Sequence, residues 1–446
     1  MRPLPKPTRV TGVVEGYAQS NLDDVSLWNG VGKFCHSQVC GDANFTGYFF
    51  AVMDHFFPAM RNHSELFTEP EIAQLVYSSE HASKSSGFPF DALGYPTKAR
   101  AYQEYGFDAL LQMFDTSVQI IGATLKDELR PIGKDSRLFR PANLAAYVVG
   151  TMLFGRQNDY LMSRLLETPI FIKYVTPGVA ITLLYDILDK FSIQRFDADG
   201  SQWDAHFQLW IAQLILAYRL RFLPPQEADR AQRYYSMMYN GYTSVGGWLF
   251  NLIGQPSGHT NTTIDNSIGH MCIMAYHAYR NGLTVAEFVK DVCFYTCGDD
   301  LVWADRTDLF TPIALDATYS SLGVFLEFGS LESSRVEELR FVSTRSVCCK
   351  FEGMSYRSYT YSYNKLKASL LLDRRKQKCI PHLSRLASIC RLMFNDERYL
   401  EFREHFDKTV EAYVSAGTLS RDNATLCGLQ EALEPHTILR AYTYWE

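Results

Sequence analysis

Apolar and polar positions divide the 446-residue chain into alternating helical and extended stretches. Residues 47–60 and 69–78 carry apolar side chains at helical spacing. Residues 205–223, rich in Leu, Ile, Ala and aromatics, predict one long helix. A glycine-containing loop at 254–258 leads into another helix that runs to Arg280, where Asn281-Gly282 ends it. Residues 191–199 read as a strand. Two short β-branched and aromatic runs, 292–296 and 301–304, flank Cys297-Gly298-Asp299-Asp300, which predicts a tight hairpin. Gly298 there supplies a backbone conformation that other residues resist. Beyond the hairpin, 311–323 reads as a helix, 339–349 as a strand pair, and the chain from about 365 as helical and basic. Residues 1–7, with three prolines, predict an extended arm.

Composition narrows this picture only modestly. The length allows a large core and more than one compact unit. Hydrophobic residues at 47% and charged residues at 21% exclude wholesale disorder. A net charge of −6 means that any polyanion site must come from local clustering. Ten cysteines without a recognisable signal peptide argue for reduced thiols in a cytosolic setting. Cys35-His36 with Cys40, and Cys293 with Cys297, lack zinc spacing and read as buried free thiols. The longest apolar run, 169–188, is broken by Lys173, Pro177 and Asp186, so no membrane span is expected.

Local chemistry is more informative. Asp299 and Asp300 at one hairpin tip would repel each other, and burying them together is costly unless a cation sits between them. Asp199 closes the predicted 191–199 strand and can complete a Mg²⁺ site with Asp299; Asp197 competes for that role. Asp204, five residues on, can meet a ligand hydroxyl. Thr262 and Asn266 are four apart and predict one polar helix face suited to sugar hydroxyls, while simple capping explains Ser257 and Asn261 nearly as well. Lys126, Arg130, Lys134, Arg137 and Arg140 surround a Pro131-Ile132-Gly133 turn, a hairpin-like finger able to neutralise a triphosphate. Ser85-Ser86-Gly87-Phe88-Pro89 predicts a rigid, exposed loop whose hydroxyls and amides can hold a phosphate backbone.

Taken in order, these segments resemble viral RNA-dependent RNA polymerases of the picornavirus-like supergroup over nearly the whole chain. Ser85–Pro89 resembles the template-guiding fingers loop, and Lys126-Asp127-Glu128-Leu129-Arg130 through Arg137 the nucleotide-entry finger. Asp199-x4-Asp204, Ser257-Gly258-x3-Thr262-x3-Asn266 and Gly298-Asp299-Asp300 match palm motifs in their usual order. Asp197-Ala198-Asp199-Gly200-Ser201-Gln202 is potyvirus-like in wording, whereas the Lys126 and Ser86 segments are more picornaviral.

The resemblance implies an α+β closed right hand: fingers 1–160 with an insertion at 236–256, palm 161–235 and 257–350, and a helical thumb 351–446. It implies RNA synthesis from ribonucleoside triphosphates by two Mg²⁺ ions, with Mn²⁺ able to substitute, held by Asp199 and Asp299 with Asp300 in support. Asp204, Asn266, Ser257 and Thr262 would recognise the ribose 2′-hydroxyl, and Lys126, Arg130, Lys134 and Arg137 the triphosphate and base. Ser85, Ser86, Gly87, Phe88, Pro89 and Gly258 would meet template, Phe341 and Arg345 the primer end, and the basic cluster Lys365, Lys367, Arg374, Arg375, Lys376 and Lys378 product RNA. The family's usual leaving-group lysine is missing between 322 and 339; Arg335 is the nearest cation there. Replication of a positive-strand genome, a small viral protein primer, other replication proteins and a membrane-associated complex in host cytoplasm complete the expectation. A reverse transcriptase, disfavoured by Asp204 where a bulky aromatic would be expected, and a non-catalytic RNA-binding scaffold are the alternatives.

Overall fold

The computed structural model describes residues 13–172, 177–351, 354–371, 379–435 and 437–438. The 1–7 arm and the basic residues Arg374, Arg375, Lys376 and Lys378 lie outside them.

A four-stranded antiparallel sheet forms the centre, in the order Leu326–Phe328, Gln194–Gly200, Asp300–Asp305, Val292–Cys297. Strand alternation sends its two faces into different cores. Phe196, Ala198, Leu301 and Trp303 join the larger core, while Tyr295, Val302 and Ala304 join a second one shared with Leu184, Phe341, Leu383 and Phe406. A sheet buried on both faces is held at one register, because a one-residue slip would exchange the two sets.

The helix Leu144–Ser163 is the spine of the larger core, apolar nearly all round and almost wholly buried. The helices Glu69–Tyr77 and Lys98–Thr116 pack about it. A three-stranded sheet pairs Ile120–Gly122 in parallel with Gly241–Val245, and that strand with Trp248–Ile253, so residues 241–253 return to the N-terminal layer. The C-terminal layer is helical (Tyr363–Leu371, Cys379–Leu392, Tyr399–Ser415, Ala424–Glu431). The two layers touch: Glu15 pairs with Lys367 at 2.9 Å, and the paired strands Tyr17–Gln19 and Leu129–Pro131 lie against the helix Tyr363–Leu371. The hand is therefore closed.

Four expectations are corrected. The long helix of 205–223 is two, Trp203–His206 and Leu209–Leu220, because Phe207 turns extended (ψ 117°) and Gln208 spends its amide on the carbonyls of His206 and Gly323. The predicted 191–199 strand begins later, at Gln194, since Phe191 still belongs to a helix. The 339–349 strand pair is instead Thr344–Phe351 against Met354–Tyr361. Val342 and Ser343 both take positive φ, making a turn that their side chains disguise. Cys35 and Cys40 are exposed and Cys293 and Cys297 half-buried, so the reading of all four as buried thiols fails. Among the described residues no helix is long and apolar enough to cross a membrane.

Candidate active site

The turn Gly298–Asp299 joins two paired strands, with Gly298 at φ +69° where a side chain would be strained. Its backbone is clamped from the helix Thr262–Arg280. Ser267 Oγ accepts from Gly298 N–H at 2.9 Å, and the Asp299 carbonyl accepts from His270 Nε2 at 3.0 Å and Gly200 N–H at 2.9 Å. On the sheet, Asp300 lies directly opposite Asp199, and Glu327 flanks Asp199 on its other side. Directly paired residues face the same way, so three carboxylates form a row beside Asp299.

The crowding is visible in their protonation. Burial, then Asp299 and Asp199, push Asp300 up to about 8. Burial, then Asp299 and Glu327, push Asp199 up to about 7. Burial alone drives Asp197, one strand step below, up to about 6, although it accepts from the Arg340 backbone. Among the described residues no three such groups converge on one point as they stand. A cation would have to draw them in.

Asp199, Asp204, Asp299 and Glu327 line a cavity of about 850 Å³ together with the cations Arg130, Lys134, Arg137, Arg345 and Lys365. The finger cations are already paired. Arg137 Nη2 meets Asp204 at 3.2 Å, Lys134 meets both Glu327 oxygens at 2.9 Å, and Lys126 and Arg130 meet Glu128 at 3.0 and 3.4 Å. Burial disfavours the Arg137 charge, but Asp204 and Asp299 outweigh it and hold the guanidinium charged.

The sequence model of viral RNA-dependent RNA polymerases matches residues 12–351. The chain belongs to that family. It is 27% identical over 305 residues to the genome polyprotein of Pea seed-borne mosaic virus (strain DPD1), covering 64% of this chain and 9% of the polyprotein. It is also 27% identical over 258 residues to that of Tobacco vein mottling virus, covering 53% and 8%. The chain thus spans under a tenth of the length of these two polyproteins. The solved Sicinivirus 3Dpol RNA-dependent RNA polymerase shares its fold, with TM-score 0.73 and 16% identity over 98% of this chain and 95% of that one. The fold is the right-hand polymerase.

Within that fold the expected site residues do not all stand where the motifs suggest. Asn266 is buried beside the turn with its Oδ1 lacking a hydrogen bond, an acceptor left for a ligand. Thr262, one turn earlier on the same helix, does not keep its hydroxyl for a ligand. The Thr262 hydroxyl braces the preceding loop, accepting from His259 N–H at 3.1 Å and reaching the Pro256 and His259 carbonyls. Asn261 stands at the N-cap, but its side chain makes no capping bond and accepts instead from Asn158 at 2.8 Å. Ser257 is half-buried, and Gly258 packs where a Cβ would lie 2.8 Å from Pro141, a structural reason for glycine.

The 85–89 loop is less exposed than expected. Ser86 is fully buried and donates to the Tyr95 carbonyl, and Gly87 (φ +73°) lies against Asn143. Ser85 stays exposed, and Phe88 and Pro89 are half-buried with Phe88 over Gly122. Phe341 cannot touch a primer: it is fully buried against Phe171. Arg345 remains exposed on the cavity wall. Arg335 is off that wall, exposed and tied to Glu338 at 2.9 Å. Sequence reasoning missed Glu327 and Arg340, which line the cavity, and His270. The alternation of Leu326-Glu327-Phe328 was the one signal available for Glu327.

Proposed function

We propose that the chain builds RNA on an RNA template from ribonucleoside triphosphates, replicating a positive-strand viral genome. The observation that carries this is the Gly298–Asp299 turn, which sets Asp300 opposite Asp199 on the sheet and brings Asp299 with Asp199 into the wall of a cavity also lined by cations. On this reading fingers, palm and thumb follow the divisions at 160, 235, 256 and 350.

Asp199, Asp299 and Asp300 offer only carboxylate oxygens, the hard donors that Mg²⁺ takes, and their mutual repulsion is what a cation relieves. Bound Mg²⁺, or Mn²⁺ in its place, would supply charge to acidify the primer 3′-hydroxyl and to stabilise departing pyrophosphate. Arg137 leaves Asp204 for the triphosphate, and Asp204, thus released, accepts from the ribose 2′-hydroxyl, with the unbonded Asn266 Oδ1 left to accept from a second sugar hydroxyl. Lys134, beside the carboxylate row, replaces Arg335 as the cation nearest the leaving group. Arg345 and Lys365 face the nucleic-acid backbone across the cavity.

The test is Mg²⁺-dependent incorporation of labelled ribonucleotides on a primed RNA template. Asp299→Ala should lose at least about a hundredfold, the scale of a lost electrostatic contact in the transition state. Deoxynucleotides should be used poorly. An Asp299→Ala protein as active as the parent would refute the assignment.

A further inference from the structure

We propose that His270 is a positioning residue that couples the sugar-recognition segment to the carboxylate turn. The inference rests on the polymerase reading for its consequence, but not for its geometry.

His270 is fully buried on the Thr262–Arg280 helix, one turn beyond Asn266. A carbonyl can only accept, so the 3.0 Å contact with the Asp299 oxygen fixes the proton on Nε2. Burial keeps the ring neutral. Nδ1 must then accept, and the Tyr319 hydroxyl 3.0 Å away donates to it. The result is a directed chain: Tyr319 O–H to His270 Nδ1, His270 Nε2–H to the backbone of Asp299. The same carbonyl takes the Gly200 N–H, next to Asp199. One oxygen therefore ties together the two strand ends that carry Asp199 and Asp299.

The ring's face does a second job. It stacks on Trp203 with centroids 3.9 Å apart and planes 18° from parallel. Trp203 is wedged in place by two glycines: a Cβ on Gly200 would lie 2.5 Å from its ring, and one on Gly269 3.2 Å. Asp204 follows Trp203 directly. A shift of the imidazole therefore moves Asp299 through the hydrogen bond and Asp204 through the stacked indole. No other described side chain donates to the Asp299 carbonyl.

The experiment compares the parent with His270→Phe, which keeps a ring on Trp203 but no donor, and His270→Gln, whose amide can replace the Nε2–H. Tyr319→Phe removes only the distal hydroxyl and guards against a misfolded first variant. Met274→Ala, one turn further along the same buried helix, controls for loss of core packing. The readouts are Mn²⁺ affinity of the nucleotide-free protein by electron paramagnetic resonance, hydrogen exchange of the peptide spanning 294–303, and the ribonucleotide-to-deoxynucleotide ratio of kcat/KM.

His270→Phe should weaken Mn²⁺ binding about tenfold, as loss of an outer-shell partner does, and should speed exchange of the peptide and narrow sugar discrimination. Tyr319→Phe should shift each readout the same way by less, and His270→Gln should recover most of the parent's values. Unchanged exchange and metal affinity in both His270→Phe and Tyr319→Phe would overturn the inference, as would an equal loss in Met274→Ala. A parent that makes no RNA refutes the polymerase reading, while the exchange contrast still decides the positioning claim.

Discussion

The carboxylate turn and the basic finger line one cavity, and they are held by opposite kinds of contact. Around the turn, the backbone of Gly298 and Asp299 is clamped by buried, uncharged donors and acceptors from Ser267 and His270. Behind it, Asp265 at the start of the same helix is buried with Arg219 at 2.7 Å and accepts from Tyr235 and Tyr239. The finger is the reverse. Lys126, Lys134 and Arg137 end in half-exposed ion pairs, each with a carboxylate that a nucleotide's phosphates could outbid. One wall is prebuilt and the other is precharged. The difference matches what each must do, since a metal site needs fixed ligands while a nucleotide gate must let go.

The comparison breaks most visibly at the buried pair. Asp265→Ala leaves Arg219 buried and charged with only the neutral amide oxygens of Gln157 and Asn158 as side-chain acceptors, and losing one partner of such a pair typically costs about 3–5 kcal/mol. Thermal or urea unfolding should show it, with activity lost through the fold. A variant within about 1 kcal/mol of the parent would mean that the helix bearing Asn266 and His270 is not anchored there.

On the finger side, Arg137→Lys should leave unfolding unchanged and raise the nucleotide KM. A charge-assisted hydrogen bond is worth about 1.5–3 kcal/mol, so kcat/KM should fall at least about tenfold. Sugar discrimination should fall less, because Asp204 and Asn266 stay in place. A stability loss with normal KM would assign Arg137 to the fold rather than to the gate.

Much of the turn could be read from the chain, and much of what supports it could not. Gly298 with its flanking β-branched runs marks a hairpin by local rules alone, and Asp199 lies opposite Asp300 as the strand reading requires. Asn266 also kept its side-chain acceptor free of hydrogen bonds within the chain. Thr262 did not, because helical spacing says which residues share a face but not which hydroxyl the preceding loop will claim. Phe341 went wrong for a related reason: Val342 and Ser343 at positive φ turn the chain so that Phe341 enters the core. His270 and Glu327 were silent because their meaning comes from partners at Asp299, Tyr319, Lys134 and Asp199. None of these contacts has a local signature.

Proton linkage sharpens the contrast further. Asp199 and Asp300, raised to about 7 and 8 by burial and then by the neighbouring Asp299, bind protons in the fold that the unfolded chain loses near 4. Folded protein thus holds more protons across about pH 4–8, and metal-free stability falls as pH rises through that window. Melting temperature in EDTA should drop from pH 5 to pH 8, and Mg²⁺ should restore it mainly at the upper end. Asp300→Asn should flatten both trends. A metal-free melting temperature that rises over this range would show that the carboxylates are relieved by something other than protons.

The smallest effect belongs to the Lys134–Glu327 pair, and it discriminates best between a gate and a brace. Both side chains are about half exposed, so Glu327→Gln should change stability by no more than about 0–1 kcal/mol. If the pair holds Lys134 away from the nucleotide, freeing the lysine lowers KM, by about twofold for 0.5 kcal/mol. Removing the Glu327 charge also relieves Asp199, so the acid limb of the pH–rate profile should move to lower pH. Lys134→Gln should raise KM and shift that limb the other way, because Lys134 favours the ionised Asp199. If Glu327→Gln instead raises KM with the acid limb still displaced, the ion pair orients the finger for the incoming phosphates. The precharged wall would then be as prebuilt as the one it faces.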